Sequence, residues 1–274
     1  MTSVAAKKPR TKRTKKDPEG RMSLGAHLIE LRNRLFKSAI AIVIACVAGW
    51  FVSEWVFEAL KAPIAVVAES QGKEAILNFP TIAGAFDLRL QIAMTVGIVL
   101  ASPVWLYQIW AFLVPGLTRK EMKYGLGFIL TAIPLFFAGC YSGWLVFPHI
   151  VELLTSFTGS EAASFLDAKV YYEFVLKLVL VVGIAFVLPV FLVLLNFLGI
   201  LPGMLILKSW RLAIMAIVLF TAIATPAADP ISMFLLAIPI IFLFFTACGI
   251  AILHDRGVAK RQVVFDGTAS DLPA

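Results

Sequence analysis

The chain has 274 residues, of which 60% are hydrophobic and 15% are charged, and its net charge is +7. Soluble domains contain roughly 45–50% apolar residues, so this composition excludes an ordinary soluble protein and predicts an integral membrane protein. The positive charge is unevenly placed, since 11 of the 24 basic residues lie in the first 37 positions.

The first 21 residues, with the run "KKPRTKRTKK", contain many basic side chains and few apolar ones. Such a segment buries too little apolar surface to fold, so we predict a disordered tail over residues 1–21. Attraction to anionic membrane lipid accounts for its charge, and we expect no nucleic-acid partner. The apolar run that follows starts too late for a cleaved signal peptide and should be the first membrane span.

A helix needs about 20 apolar residues to cross a bilayer, and six apolar stretches approach or exceed that length. They cover residues 36–57, 88–114, 124–147, 171–197, 212–225 and 231–253. We therefore predict an all-α integral membrane protein with six transmembrane helices in a domain over 22–253, followed by a cytoplasmic tail over 254–274. The fifth stretch is short, and the break "TPAADP" follows it, so five spans is the alternative.

The basic residues indicate the orientation of the predicted spans. With six spans, both termini and two of the connecting loops share one side, which holds 19 of the 24 Lys and Arg residues. Because short loops on the cytoplasmic side carry the excess of Lys and Arg, we predict that both termini are cytoplasmic and that the protein lies in the cytoplasmic membrane. Two longer connections, before the second and the fourth span, would lie outside.

Four prolines lie within the apolar stretches, namely Pro103, Pro134, Pro189 and Pro239. Each removes a helix hydrogen bond and should bend its helix, which favours a curved, cup-like bundle. No repeat relates the two halves of the sequence, and ionisable residues are scarce at the span centres. A secondary transporter or channel for a small solute is therefore the weaker alternative.

Sequence patterns for catalysis or metal binding are missing. Cys46, Cys140 and Cys248 lie in separate apolar runs without a Cys-x-x-Cys pair, which predicts neither a disulfide framework nor a metal site. The sequence has no phosphate loop, nucleophile elbow or zinc-protease helix. We expect no cofactor and no enzymatic activity.

Two acidic residues lie on the predicted cytoplasmic side, Glu30 in "HLIELRNRL" and Glu121 in "GLTRKEMKYG". Each has a local interpretation, because Glu30 precedes Arg34 by four residues and Thr118 precedes Glu121 by three. These spacings suit a helical ion pair and a capping box. The functional interpretation is that both carboxylates bind a ligand with two guanidinium groups, through planar two-donor contacts that lysine cannot form.

Five segments, in order over about residues 23–253, resemble the signature segments of the TatC family, the multispanning receptor of the twin-arginine translocase. They are "HLIELRNRL", "ASPVWLYQIWAFLVPGLTRKEMKY", "WLVFPHI", "FVLPVFLVLLNFLGI" and "TPAADPISMFLLAIP". The resemblance implies six spans with cytoplasmic ends and recognition of twin-arginine signal peptides on cargo that is exported already folded. It also implies single-span TatA- and TatB-type partners, other copies of the chain, and export driven by the proton motive force.

The resemblance also implies roles for particular residues. Glu30 and Glu121 match the acids that contact the signal peptide's arginines, and Arg32 matches the basic partner in the first motif. Phe112 and Pro115 match the Phe-x-x-Pro signature that shapes the first cytoplasmic loop.

Outside that motif, Pro63 resembles the proline of the first external loop and Asp229 the acid between the last two spans, although either could simply end a helix. Many relatives carry a glutamate in the fourth span where this chain has Val187. Glu173 and Lys177, four residues apart near the outer start of that span, are predicted to pair and to supply polarity there instead.

Overall fold

The structure is a computed structural model that describes residues 24–70, 77–78, 81–113, 121–156, 166–225 and 230–270. These residues form eight helices: α1 (Leu24–Ser70), α2 (Gly84–Leu100), α3 (Ser102–Leu113), α4 (Glu121–Ser156), α5 (Ala168–Phe197), α6 (Gly203–Lys208), α7 (Trp210–Ala224) and α8 (Pro230–Ser270). Two strands of two residues, β1 (Leu77–Asn78) and β2 (Leu166–Asp167), pair in parallel. The prediction of an all-α membrane protein is confirmed, and this short pairing is an addition to it.

Each predicted apolar stretch corresponds to one helix or to one bent pair of helices. Within the described residues, α1, α4, α5 and α8 are long and apolar enough to cross a membrane, and α2 with α3 forms a fifth candidate span. Helix α7 has only 15 residues, which confirms that the fifth stretch is short. These lengths fit five or six crossings, so the number of spans stays a prediction.

Helices α1 and α8 extend beyond the apolar stretches, with 47 and 41 residues. Hydropathy marks where a helix crosses a bilayer, whereas the helix itself continues into water as long as its residues allow it. Helix α1 passes through Pro63 and ends at Ser70, so the interpretation that Pro63 ends a helix is wrong. Helix α4 also continues through Pro148 to Ser156.

The break between α2 and α3 lies beside Pro103 and bends the pair by 54°. A continuous helix would pair the Ile98 carbonyl with the backbone N–H four residues on, and the break removes that partner. The indole Nε1 of Trp105 donates to the Ile98 carbonyl oxygen instead, at 3.0 Å. The predicted bend at Pro103 is therefore confirmed, while Pro134, Pro189 and Pro239 lie inside helices that continue past them.

Small residues let α1 and α2 approach closely. A Cβ added at Gly97 would lie 2.6 Å from Sγ of Cys46, and one added at Gly49 would lie 2.5 Å from the carbonyl oxygen of Ala93. Close backbone approach of this kind is the usual way in which membrane helices associate, because lipid supplies no hydrophobic drive between them. The main core lies between α1, α2, α4, α5 and α8. Its largest fully buried members are Leu60, Leu88, Ile92, Phe147, Ile150, Tyr172, Leu178 and Leu236.

Contacts at the helix ends fall into two groups. At one end of the bundle, which we call the Leu60 end, α1, α2 and α5 are joined by hydrogen bonds. The Tyr171 hydroxyl donates to the Leu60 carbonyl at 3.1 Å, and Nζ of Lys169 donates to Oδ2 of Asp87 at 2.5 Å. At the other end, which we call the Glu30 end, the start of α1 contacts the end of α3. The two predicted outer connections meet through β1 and β2, which places them at the Leu60 end together.

Candidate functional site

The Glu30 carboxylate is bound by Arg34, one helical turn further along α1. Nε and Nη2 of Arg34 both donate to Oε1 of Glu30, at 3.0 and 2.5 Å. The two side chains are only 23% and 21% exposed, and the second carboxylate oxygen, Oε2, is buried without a hydrogen-bond partner among the described residues. The predicted ion pair is thus present, with its contact confined to one oxygen.

Helix α3 supports this pair from the side. Nη1 of Arg34 donates to Oε1 of Gln108 at 3.4 Å, and the His27 imidazole stacks on the Phe112 ring with centroids 4.4 Å apart. These contacts hold the start of α1 against the second half of α3. Phe112, for which the resemblance implies a role in shaping the following loop, contacts the helix that carries Glu30, and its role in the loop stays a prediction.

The other predicted acid, Glu121, is the first residue of α4. Its side chain lies outside the described residues, as do Thr118, Pro115 and Asp229, so the capping box stays a prediction. The start of α4 is positioned by Trp110 of α3, whose indole covers Gly125 so closely that an added Cβ would overlap the ring. One helix, α3, thus contacts both the helix that carries Glu30 and the helix that begins with Glu121.

The remaining predicted residues are spread over the molecule. Arg32 is exposed on α1. Nζ of Lys177 lies 3.0 Å from Oε2 of Glu173, with the lysine 68% exposed, so the two residues are in contact and their functional role stays a prediction. Val187 is 3% exposed and belongs to an apolar cluster with Phe136 and Cys140.

Sequence reasoning missed two polar contacts at the Glu30 end. One is Gln108, whose amide in the apolar run of α3 was the available signal. The other is Asp255 of α8: Oδ1 accepts from the Asn196 amide at 2.8 Å, and Oδ2 accepts from the Gly203 backbone N–H at 2.6 Å. Helix α5 begins at the Leu60 end and has 30 residues, so Asn196 near its last turn lies at the opposite end of the bundle.

No group of three or more metal-ligating side chains occurs within the described ranges. The polar contacts that the described residues make at the Glu30 end include hydrogen bonds and the Glu30–Arg34 ion pair. A carboxylate that holds a guanidinium in a mostly buried position is suited to recognise arginine.

Comparison with known proteins identifies the family. The family model described as Sec-independent protein translocase protein (TatC) matches residues 26–239. The chain belongs to the TatC family. A TatC protein of Xylanimonas cellulosilytica is 39% identical over 241 residues, covering 88% of this chain and 87% of the relative. The TatCy protein of Bacillus subtilis is 33% identical over 227 residues, covering 81% of this chain and 86% of the relative.

Solved structures agree with this assignment. A crystal structure titled as the twin-arginine translocase receptor TatC superposes with a TM-score of 0.70 at 32% identity, covering 83% of this chain and 98% of that one. A second crystal structure of the same title, in DDM, superposes with a TM-score of 0.71 and covers 82% of this chain and 99% of that one. The chain is therefore a multi-pass membrane protein of the Sec-independent, twin-arginine translocase, and the small-solute transporter alternative is set aside.

Proposed function

We propose that this TatC-family chain is the receptor that binds twin-arginine signal peptides, with Glu30 and Glu121 as the acids that hold the two arginines. The observation that carries the proposal is the Glu30 carboxylate, which accepts two hydrogen bonds from a guanidinium in a mostly buried site. A carboxylate that pairs with one guanidinium has the shape and charge to pair with another guanidinium in its place.

The proposed topology has six spans with both termini in the cytoplasm, in the cytoplasmic membrane. It is supported by the excess of Lys and Arg on one predicted side and by the separation of helix-end contacts into two groups. In this arrangement the Glu30 end faces the cytoplasm, where precursors arrive, and the Leu60 end faces outward.

Twin-arginine translocation as proposed here needs partners and an energy source. We infer that single-span TatA- and TatB-type subunits, and other copies of this chain, assemble on its lipid-facing surfaces after a folded precursor has docked. The proton motive force supplies the energy, since a membrane potential is worth about 2.3 kcal/mol per charge per 100 mV. The chain acts as a receptor and organiser rather than as an enzyme.

Supporting roles are proposed for the other family positions. Arg32 contributes to the binding face, Phe112 and Pro115 shape the loop that precedes Glu121, and Pro63 and Asp229 act in the external connections. Glu173 and Lys177 supply polarity near the outer face, in place of the glutamate that many relatives have where this chain has Val187.

Site-specific crosslinking tests the proposal. A photoreactive residue at position 122, next to Glu121, should crosslink a signal peptide with paired arginines and should crosslink its Lys-Lys counterpart far less. The same residue at position 54 near the Leu60 end, where Glu54 is 78% exposed, is the control and should capture neither. Equal crosslinking of both peptides at position 122 would contradict arginine-specific binding.

A further inference from the structure

Both oxygens of the Glu30 carboxylate are closed to an incoming ligand. Oε1 accepts from Nε and Nη2 of Arg34. Oε2 is buried and has no hydrogen-bond partner in the part of the chain that the structure describes. A signal-peptide arginine can reach this carboxylate only after Arg34 leaves it or after the carboxylate turns.

Arg34 is held where it is by more than the ion pair. Its Nη1 donates to Gln108 of α3, and its side chain is 23% exposed. The third contact comes from another helix, so the position of the guanidinium depends on tertiary packing and on the i, i+4 spacing together. The closed arrangement is thus a property of the α1 and α3 contact.

We propose that Arg34 is an internal competitor that occupies the signal-peptide site and sets the affinity threshold for recognition. This inference rests on the proposed role of Glu30 in binding arginine. The Arg34 guanidinium is chemically the same group as the expected ligand, and it must be displaced before the ligand binds. A receptor whose open state is only partly populated binds every ligand more weakly, by the fraction that is open.

The threshold makes the receptor respond to arginine pairs and ignore lysine. Competition weakens both kinds of ligand by the same factor, so it leaves their affinity ratio unchanged. A guanidinium replaces Arg34 with an equivalent two-donor contact, whereas an ammonium offers a compact point charge without the fork. The common penalty therefore moves the weaker Lys-Lys ligand below a useful affinity while the Arg-Arg ligand stays above it.

Binding of synthetic signal peptides to the full-length protein in membrane vesicles tests this inference. Arg34→Gln should tighten binding of both the Arg-Arg and the Lys-Lys peptide by one common factor, roughly 1.5- to five-fold, the range expected for loss of a single i, i+4 ion pair. It should also allow measurable export of a Lys-Lys precursor. Weaker Arg-Arg binding by Arg34→Gln would overturn the inference, because it would show that Arg34 only positions Glu30.

Two matched variants separate competition from a simple change of charge. Lys37→Gln removes one positive charge from an exposed position on the same helix and should change both affinities much less. Arg34→Lys keeps the charge but loses the forked contact, so it should tighten binding to an intermediate degree. If Lys37→Gln matched Arg34→Gln while Arg34→Lys matched the wild type, the effect would be electrostatic and the inference wrong.

Glu30→Gln distinguishes this inference from the proposed function. If Glu30→Gln leaves Arg-Arg binding unchanged, the receptor proposal itself fails. If Glu30→Gln weakens binding while Arg34→Gln fails to tighten it, only the role of Arg34 is wrong. Misfolding is recognised separately, because it lowers the number of binding sites and leaves the dissociation constant of the remaining sites unaltered.

Discussion

The imidazole of His27 stacks on the Phe112 ring with 4.4 Å between the ring centroids and 23° between the planes. This contact joins residues from the first turn of α1 and the last turn of α3, so the position of Glu30 relative to the end of α3 depends on it.

Removing the stack should therefore weaken both stability and ligand binding. His27→Ala should lower the free energy of unfolding by about 0.5–1.5 kcal/mol, the range of an aromatic pair beyond its buried area, and should weaken binding of an Arg-Arg signal peptide. Thermal unfolding in detergent and peptide titration measure the two effects. His149→Ala, at an exposed position, is the control, and an equal loss of binding in both variants would count against this role.

Neutralising both acids should abolish recognition. Glu30→Gln with Glu121→Gln keeps the side-chain size but removes the charge that a guanidinium requires. We expect loss of Arg-Arg peptide binding and of export, measured by titration and by the amount of cargo outside the membrane. Glu54→Gln with Glu58→Gln, which removes two charges near the Leu60 end from the partners of Arg89 and Lys61, is the charge-matched control. Export at the wild-type level in the double variant would refute the assignment of the acids.

The close approach of α1 and α2 predicts a strong effect at Gly97. Gly97→Leu places a side chain where an added Cβ already meets Cys46 at 2.6 Å, and overpacking of this kind costs about 1–3 kcal/mol. The variant should unfold at a lower temperature in detergent. Gly249→Leu adds the same side chain where nothing lies within 4 Å of an added Cβ. Similar unfolding temperatures for the two variants would show that α1 and α2 can accommodate a larger side chain at Gly97 without loss of stability.

Asp255 should hold the connection between α5 and α6. Both of its oxygens accept hydrogen bonds, so Asp255→Asn places an amide N–H against one of two existing donors and costs about 1–3 kcal/mol locally. Hydrogen exchange of residues 198–208 should become faster. Asp87→Asn, at the opposite end of the bundle and bonded to Lys169, should leave that exchange unchanged. Unchanged exchange in Asp255→Asn would mean that the connection does not depend on this residue.

Local patterns predicted much of this architecture. The length of the apolar runs located the helices, since a helix that crosses a bilayer needs a minimum number of apolar residues. The four-residue spacing of Glu30 and Arg34 predicted their contact. The helix ends were harder to predict from the sequence. Helix α1 begins at Leu24 and continues to Ser70, because helix formation does not require apolar residues outside the membrane.

Contacts between distant residues could not be derived in the same way. Arg34 and Gln108 are 74 positions apart, and Asn196 and Asp255 are 59 apart, so no periodicity connects them. The parallel pairing of Leu77 with Leu166 involves strands too short to carry an alternating pattern. Each of these contacts depends on how helices pack, and a pattern of single residues does not encode that packing.

The bend beside Pro103 has a consequence for how the Glu30 end is oriented. Across the break, the Trp105 indole of α3 donates a hydrogen bond to the Ile98 carbonyl of α2. This bond stabilises the angle between the two helices. We therefore expect helices α2 and α3 to move together as one bent unit, or elbow. Thinning or thickening of the surrounding bilayer would tilt this elbow as a whole, and would carry Gln108 and Phe112 with it as a single unit.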